Sequence, residues 1–126
     1  MSEKLDQPPP LFWESLLDAA LDKETEKYLA EQRQALEANP LDPRPYFHLG
    51  LLYNMQRNPE AAIEMFERAL GVDPGFALAH QHLGQLYAVR GDYARAWTHA
   101  RQAAALGNPA LLDMLSRYPD VTRPNE

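Results

Sequence analysis

The sequence predicts an all-α protein of antiparallel helix pairs, about seven helices with no sheet, and three observations carry that reading. A spaced set (Tyr46, Leu49, Gly50, Tyr53, Ala62, Phe66, Ala69 and Pro74) returns thirty-four residues later as His80, Leu83, Gly84, Tyr87, Ala96, Ala100, Ala103 and Asn108. A fixed period of this size marks a helical repeat architecture rather than an enzyme core. Asp42-Pro43, Asn58-Pro59 and Asn108-Pro109 each set a capping side chain directly before a proline, which sacrifices no hydrogen bond in the first helical turn. No window alternates apolar and polar residues with period two, so no strand is expected.

Taken in order, residues 1–9 form a flexible Pro-rich lead. Phe12, Trp13, Leu16, Leu17, Ala20 and Leu21 then make an apolar stripe at the helix period, and Tyr28, Leu29, Gln32, Ala35 and Leu36 make a second one ending at Asn39-Pro40. Caps and stops predict helices near 11–21, 24–38, 43–56, 59–71, 76–90, 93–106 and 109–117, with a tail at 119–126. Asp92, following the turn residue Gly91, is a fourth cap. Helices joined by such short turns pack as antiparallel neighbours.

The recurring residues have a packing logic. Gly50 and Gly84 fall inside helices, where glycine costs about 1 kcal/mol relative to alanine. The gain that offsets this is close approach of the partner helix, with Ala62 and Ala96 as the small surface opposite. Tyr53 and Tyr87 fill the space beside that contact. Leu49, Leu83, Ala69 and Ala103 extend the seam, and Pro74 ends the repeat.

These residues resemble the tetratricopeptide repeat, with its aromatic-Leu-Gly-Tyr first helix and Ala-Phe-Ala-Pro second helix. Residues 43–76 match all eight key positions, with Tyr46 in place of the usual tryptophan. Residues 77–110 keep Leu83, Gly84, Tyr87, Ala96 and Ala103 and depart at His80, Ala100 and Asn108. By the same resemblance, residues 10–42 are a degenerate N-terminal repeat, and residues 109–118, with Leu111, Leu112, Met114 and Leu115, are a C-terminal capping helix.

The resemblance implies a right-handed superhelix whose first helices line a concave groove for a protein or peptide partner. The implied groove residues are Arg44, Phe47, His48, Leu51, Asn54 and Met55 from one repeat. The next repeat adds Leu78, Gln81, His82, Gln85, Ala88 and Val89, and the degenerate one adds Trp13 and Leu17. One class in this family grips the carboxylate end of heat-shock chaperones with a Lys/Asn/Arg clamp. At those places this chain carries Phe47, Leu51, His82 and Leu78, so the clamp is missing. The groove is therefore expected to favour an apolar or amphipathic segment. The expected role is an adaptor or co-chaperone-like module. The alternative is self-association, as a homodimer, through the groove or the N-terminal helix, which either packs on the first repeat, fills the groove or swaps between chains.

Composition narrows the partner. At 126 residues the chain supports one domain. Residues 1–42 hold ten acidic and four basic side chains, and residues 43–126 hold eight of each, which together give the net charge of -6. No basic patch is evident, so nucleic acid is not an expected partner. There is no cysteine, no signal-peptide core and no membrane-length apolar stretch, so a cytoplasmic, membrane-free protein is expected. His48 and His82 lie thirty-four residues apart, but no carboxylate or third histidine in register completes a metal site. The three serines lack a His/Asp arrangement, and the glycines form no phosphate loop. Neither enzyme activity nor a cofactor is expected.

Overall fold

A computed structural model describes the backbone of residues 10–118 and the side chains of residues 22–118. The lead, the tail and the side chains of Trp13 and Leu17 lie outside the described residues. The described elements are six helices: α1 (Pro10–Ala38), α2 (Arg44–Met55), α3 (Pro59–Val72), α4 (Ala77–Val89), α5 (Tyr93–Ala105) and α6 (Ala110–Arg117). The all-α class holds. The difference lies at the start, where the helices expected at 11–21 and 24–38 run on as α1, 29 residues long. Leu21-Asp22-Lys23-Glu24 contains neither glycine nor proline, and the modest propensity cost of Asp22 is too small to break a helix. The chain turns only at Asn39-Pro40.

Side-chain caps open α3 and α5, whereas α2 and α6, expected to start on Asp42 and Asn108, begin after Pro43 and Pro109 without a side-chain cap. Asn58 Oδ1 accepts from the Ala61 N–H at 3.3 Å, and Asp92 Oδ1 accepts from the Arg95 N–H at 3.2 Å. Each such cap is worth about 1 kcal/mol. Ahead of α2, Asp42 accepts from the Arg44 backbone N–H at 3.0 Å and from its guanidinium at 2.8 Å. The Arg44 side chain beside it holds the Asp42 carboxyl down at about 2.

The helices stack in chain order. α2 packs on α3 and α4 on α5, α3 joins the two pairs through α4, α1 lies on α2, and α6 lies on α5 and α4. Phe66, Leu83 and Leu111 are the largest side chains fully withdrawn from solvent. Leu49, Ala62, Ala69, Tyr87, Ala96 and Ala103 are also buried, whereas Tyr46 and Tyr53 are half-buried and Pro74 is exposed.

Both helical glycines sit under close contacts of different kinds. A Cβ on Gly50 would lie 2.6 Å from the Phe66 ring, so the room left by glycine is taken by that aromatic rather than by Ala62. A Cβ on Gly84 would collide with the Leu111 side chain and lie 3.2 Å from the Ala96 carbonyl oxygen. There the partner helix does approach with its backbone.

The three departures of the second repeat each acquire a structural partner. Ala100 stands where the first repeat has Phe66, and Leu111 from α6 fills the volume the smaller residue leaves. Asn108 stands where the first repeat has Pro74; its Nδ2 donates to Gln81 Oε1 at 2.6 Å, tying the α5–α6 turn to α4. His80 stands where the first repeat has Tyr46. It is buried, with its Nε2 3.1 Å from the Pro74 carbonyl oxygen and its Nδ1 3.1 Å from His99 Nδ1.

Candidate interaction face

The described groove residues divide by their surroundings. Phe47 is not on an open surface but in the core, 6% exposed. Its ring meets Phe66, Phe76 and His82 in edge-to-face geometry at 5.6, 5.1 and 5.3 Å between centroids. Such pairs contribute about 0.5–1.5 kcal/mol each beyond their buried area. His82 stacks on Phe66 at 5.4 Å, and its burial pushes its pKa down. These two residues form the junction between repeats, because Phe76 at the start of the second repeat covers Phe47.

Arg44, Leu78 and Gln81 form the second group. Arg44 is held by Asp42, Gln81 by Asn108, and Leu78 is exposed. None of the three lines a cleft described below.

Ala88 packs against the core, and the other described groove residues line two openings. Between α1 and α2, Tyr28, His48, Leu51, Leu52 and Met55 line a cleft of about 250 Å³. His48 Nδ1 lies 3.4 Å from Gln32 Oε1, a polar contact between α2 and α1 beside this cleft. Between α2 and α4, Asn54, Arg57, Pro59, Gln85, Leu86 and Val89 line a cleft of about 470 Å³. Met55 and Val89, the last residues of α2 and α4, stand thirty-four residues apart and are 81% and 88% exposed. The first helix of each of these two repeats therefore ends on an exposed apolar side chain.

Arg57 was not among the expected residues. It adopts φ 60°, the left-handed region, just after α2, where the second repeat has Gly91 at φ 80°. A non-glycine residue there costs roughly 1 kcal/mol. Its guanidinium makes no ion pair among the described residues and stands at the rim of the second cleft. Comparison with Gly91 in the sequence was the signal available for it. Tyr28, Leu52, Pro59 and Leu86 were missed because the cleft walls depend on how α1 and α3 lie beside the first helices, which a single-repeat pattern does not specify. Among the described residues, no three His, Asp or Glu side chains are placed to hold a metal, and no helix is long and apolar enough to cross a membrane.

The sequence profile of the tetratricopeptide repeat family matches residues 43–76. Residues 43–76 are therefore similar to one tetratricopeptide repeat, a helix pair found in typically non-catalytic protein-interaction modules. The chain is 32% identical over 63 residues to the "Tetratricopeptide repeat and J domain-containing co-chaperone DNJ1" of Cryptococcus neoformans var. grubii, a match covering 50% of this chain and 12% of that protein. Two crystal structures of MamA share the fold, with TM-scores of 0.60 and 0.58 and 23% identity. They cover 78% and 82% of this chain, which spans 54% of each.

Proposed function

We propose that this chain is an adaptor or co-chaperone-like module that holds an apolar or amphipathic segment of a partner protein across the two clefts on its first-helix face. The observation that carries the reading is the matched exposure of Met55 and Val89 beside openings floored by Leu51, Leu52 and Leu86. A segment with apolar side chains on one face would bury both residues and seat one anchor in each cleft. The fungal relative, a co-chaperone by name, supports the partner being a polypeptide. Arg57 adds a cation at the rim, which suits a segment carrying a carboxylate beside its apolar anchor.

Met55→Glu and Val89→Glu test this directly. Both positions are exposed, so the fold should change by no more than about 0.5 kcal/mol. The expected result is a native helical spectrum with loss of the co-purifying partner. Unchanged partner recovery from either variant would remove the reading. The second reading, self-association through the same residues, rests on the same exposed pair. It requires a native mass that rises with concentration in the unmodified chain and not in the variants.

A further inference from the structure

The His80–His99 contact holds a chemical constraint that its place in the core does not require. A carbonyl oxygen only accepts, so the 3.1 Å contact to Pro74 places a hydrogen on His80 Nε2. In the neutral ring, His80 Nδ1 is then a lone pair. The 3.1 Å Nδ1–Nδ1 contact is a hydrogen bond only if His99 Nδ1–H is the donor. One added proton can enter at His99 Nε2 and leave that bond intact. A second proton must go to His80 Nδ1, and two N–H groups would then face each other across the seam.

The surroundings are mixed in charge. From α3, Glu67 favours a proton on His99, and from α5, Arg95 opposes it. From α4, Tyr87 stacks on the His99 ring at 5.7 Å and donates its hydroxyl to Glu67 at 3.1 Å. The α3–α4 turn brings the Pro74 carbonyl, and α6 brings the apolar Leu111 to Gly84, where His99 Cβ also lies close. Burial and the neighbouring His80 both push the His99 pKa down. In the first repeat the corresponding residues are Tyr46 and Met65, neither of which takes up a proton in mild acid.

We propose that His80 and His99 form an acid-sensitive latch on the second repeat, closed by one hydrogen bond between the rings and opened when both are protonated, which frees α4, α5 and α6 while α2 and α3 stay packed. The asymmetry follows from repeat architecture, in which neighbouring units open separately. It also follows from linkage, because a second proton on the folded pair has to break the Nδ1–Nδ1 hydrogen bond, a cost that the unfolded chain does not carry.

Amide hydrogen exchange from about pH 7 to about pH 5, corrected for the intrinsic rate, tests the latch against His80→Tyr/His99→Met, the pair of residues the first repeat carries. In the natural chain, α4–α6 should lose protection by about tenfold per pH unit below the histidine range, and α2–α3 should lose less. In the variant this difference between the repeats should shrink to the part that the buried His82 of α4 contributes. An identical pH response in the two proteins would overturn the proposal. Should the variant not fold, nitrogen-detected NMR of the natural chain's histidine rings decides. Hydrogens on His80 Nε2 and His99 Nδ1 at neutral pH support the latch. Two Nε2–H rings, or full protonation of both rings in the folded protein, contradict it. A zinc-induced rise in Tm that the variant lacks would also overturn it, by making the pair a ligand set.

Discussion

Leu111 on the last helix occupies the space above Gly84 that Phe66, from within its own repeat, occupies above Gly50. The filling side chain comes from a different element in each repeat. The second repeat is therefore completed by α6, and the Ala100 departure is compensated rather than tolerated. Leu111→Ala should cost about 2–5 kcal/mol in urea unfolding, as other large core truncations do. A cost below 1 kcal/mol would show that α6 does not complete the repeat.

Gly50→Ala and Gly84→Ala should both destabilise, by about 1–3 kcal/mol, although alanine is the better helix former. At Gly50 the obstacle is a ring already wedged against Phe47 and His82. At Gly84 it is the Leu111 side chain together with the Ala96 carbonyl. Combining Gly84→Ala with Leu111→Ala should cost less than the sum, since one change relieves the crowding of the other. Strict additivity in a double-mutant cycle would contradict this geometry.

Arg57→Gly should raise stability by about 0.5–1 kcal/mol, because it gives the left-handed position the residue found at Gly91. The same change should weaken partner binding if the guanidinium meets a carboxylate at the cleft rim. A stabilised variant with unaltered binding would leave Arg57 as a costly turn residue with no part in recognition.

Stability should fall as the solution is acidified from about pH 7 to about pH 5, because burial depresses both His82 and His99. The unfolded chain then binds more protons than the folded one, so stability is full above the unfolded histidine pKa and is lost on the acid side. Asp42 acts in a lower window. Its contribution is present above its ordinary value of 3.8 and is lost as the pH falls through about 2. Thermal melts across pH check both, and His82→Leu should shallow the first decline without moving the second.

The second helices and the turns were legible from Ala62, Ala69, Ala96 and Ala103 and from the Asx caps, since helix period and capping are local signals. Seam positions such as Leu83, Gly84 and Tyr87 were legible because two copies repeat them. The continuity of α1 was missed because two apolar stripes out of phase look like two helices, although nothing between Leu21 and Glu24 ends one. Phe47 was placed on the groove by its position in one repeat. Its burial depends on Phe76 and His82 arriving from the next. His99 carried no pattern at all, because its partner His80 lies across a helix–helix seam.

The central claim is that partner contact occurs at the ends of α2 and α4. A photo-crosslinking amino acid placed singly at Met55, at Val89 and, as a control, at the exposed Glu64 of α3 tests it in the cell that makes the protein. Adducts to a common protein at positions 55 and 89, absent at 64, are the predicted result. Adducts of equal yield at 64, or none at 55 and 89, would contradict the account.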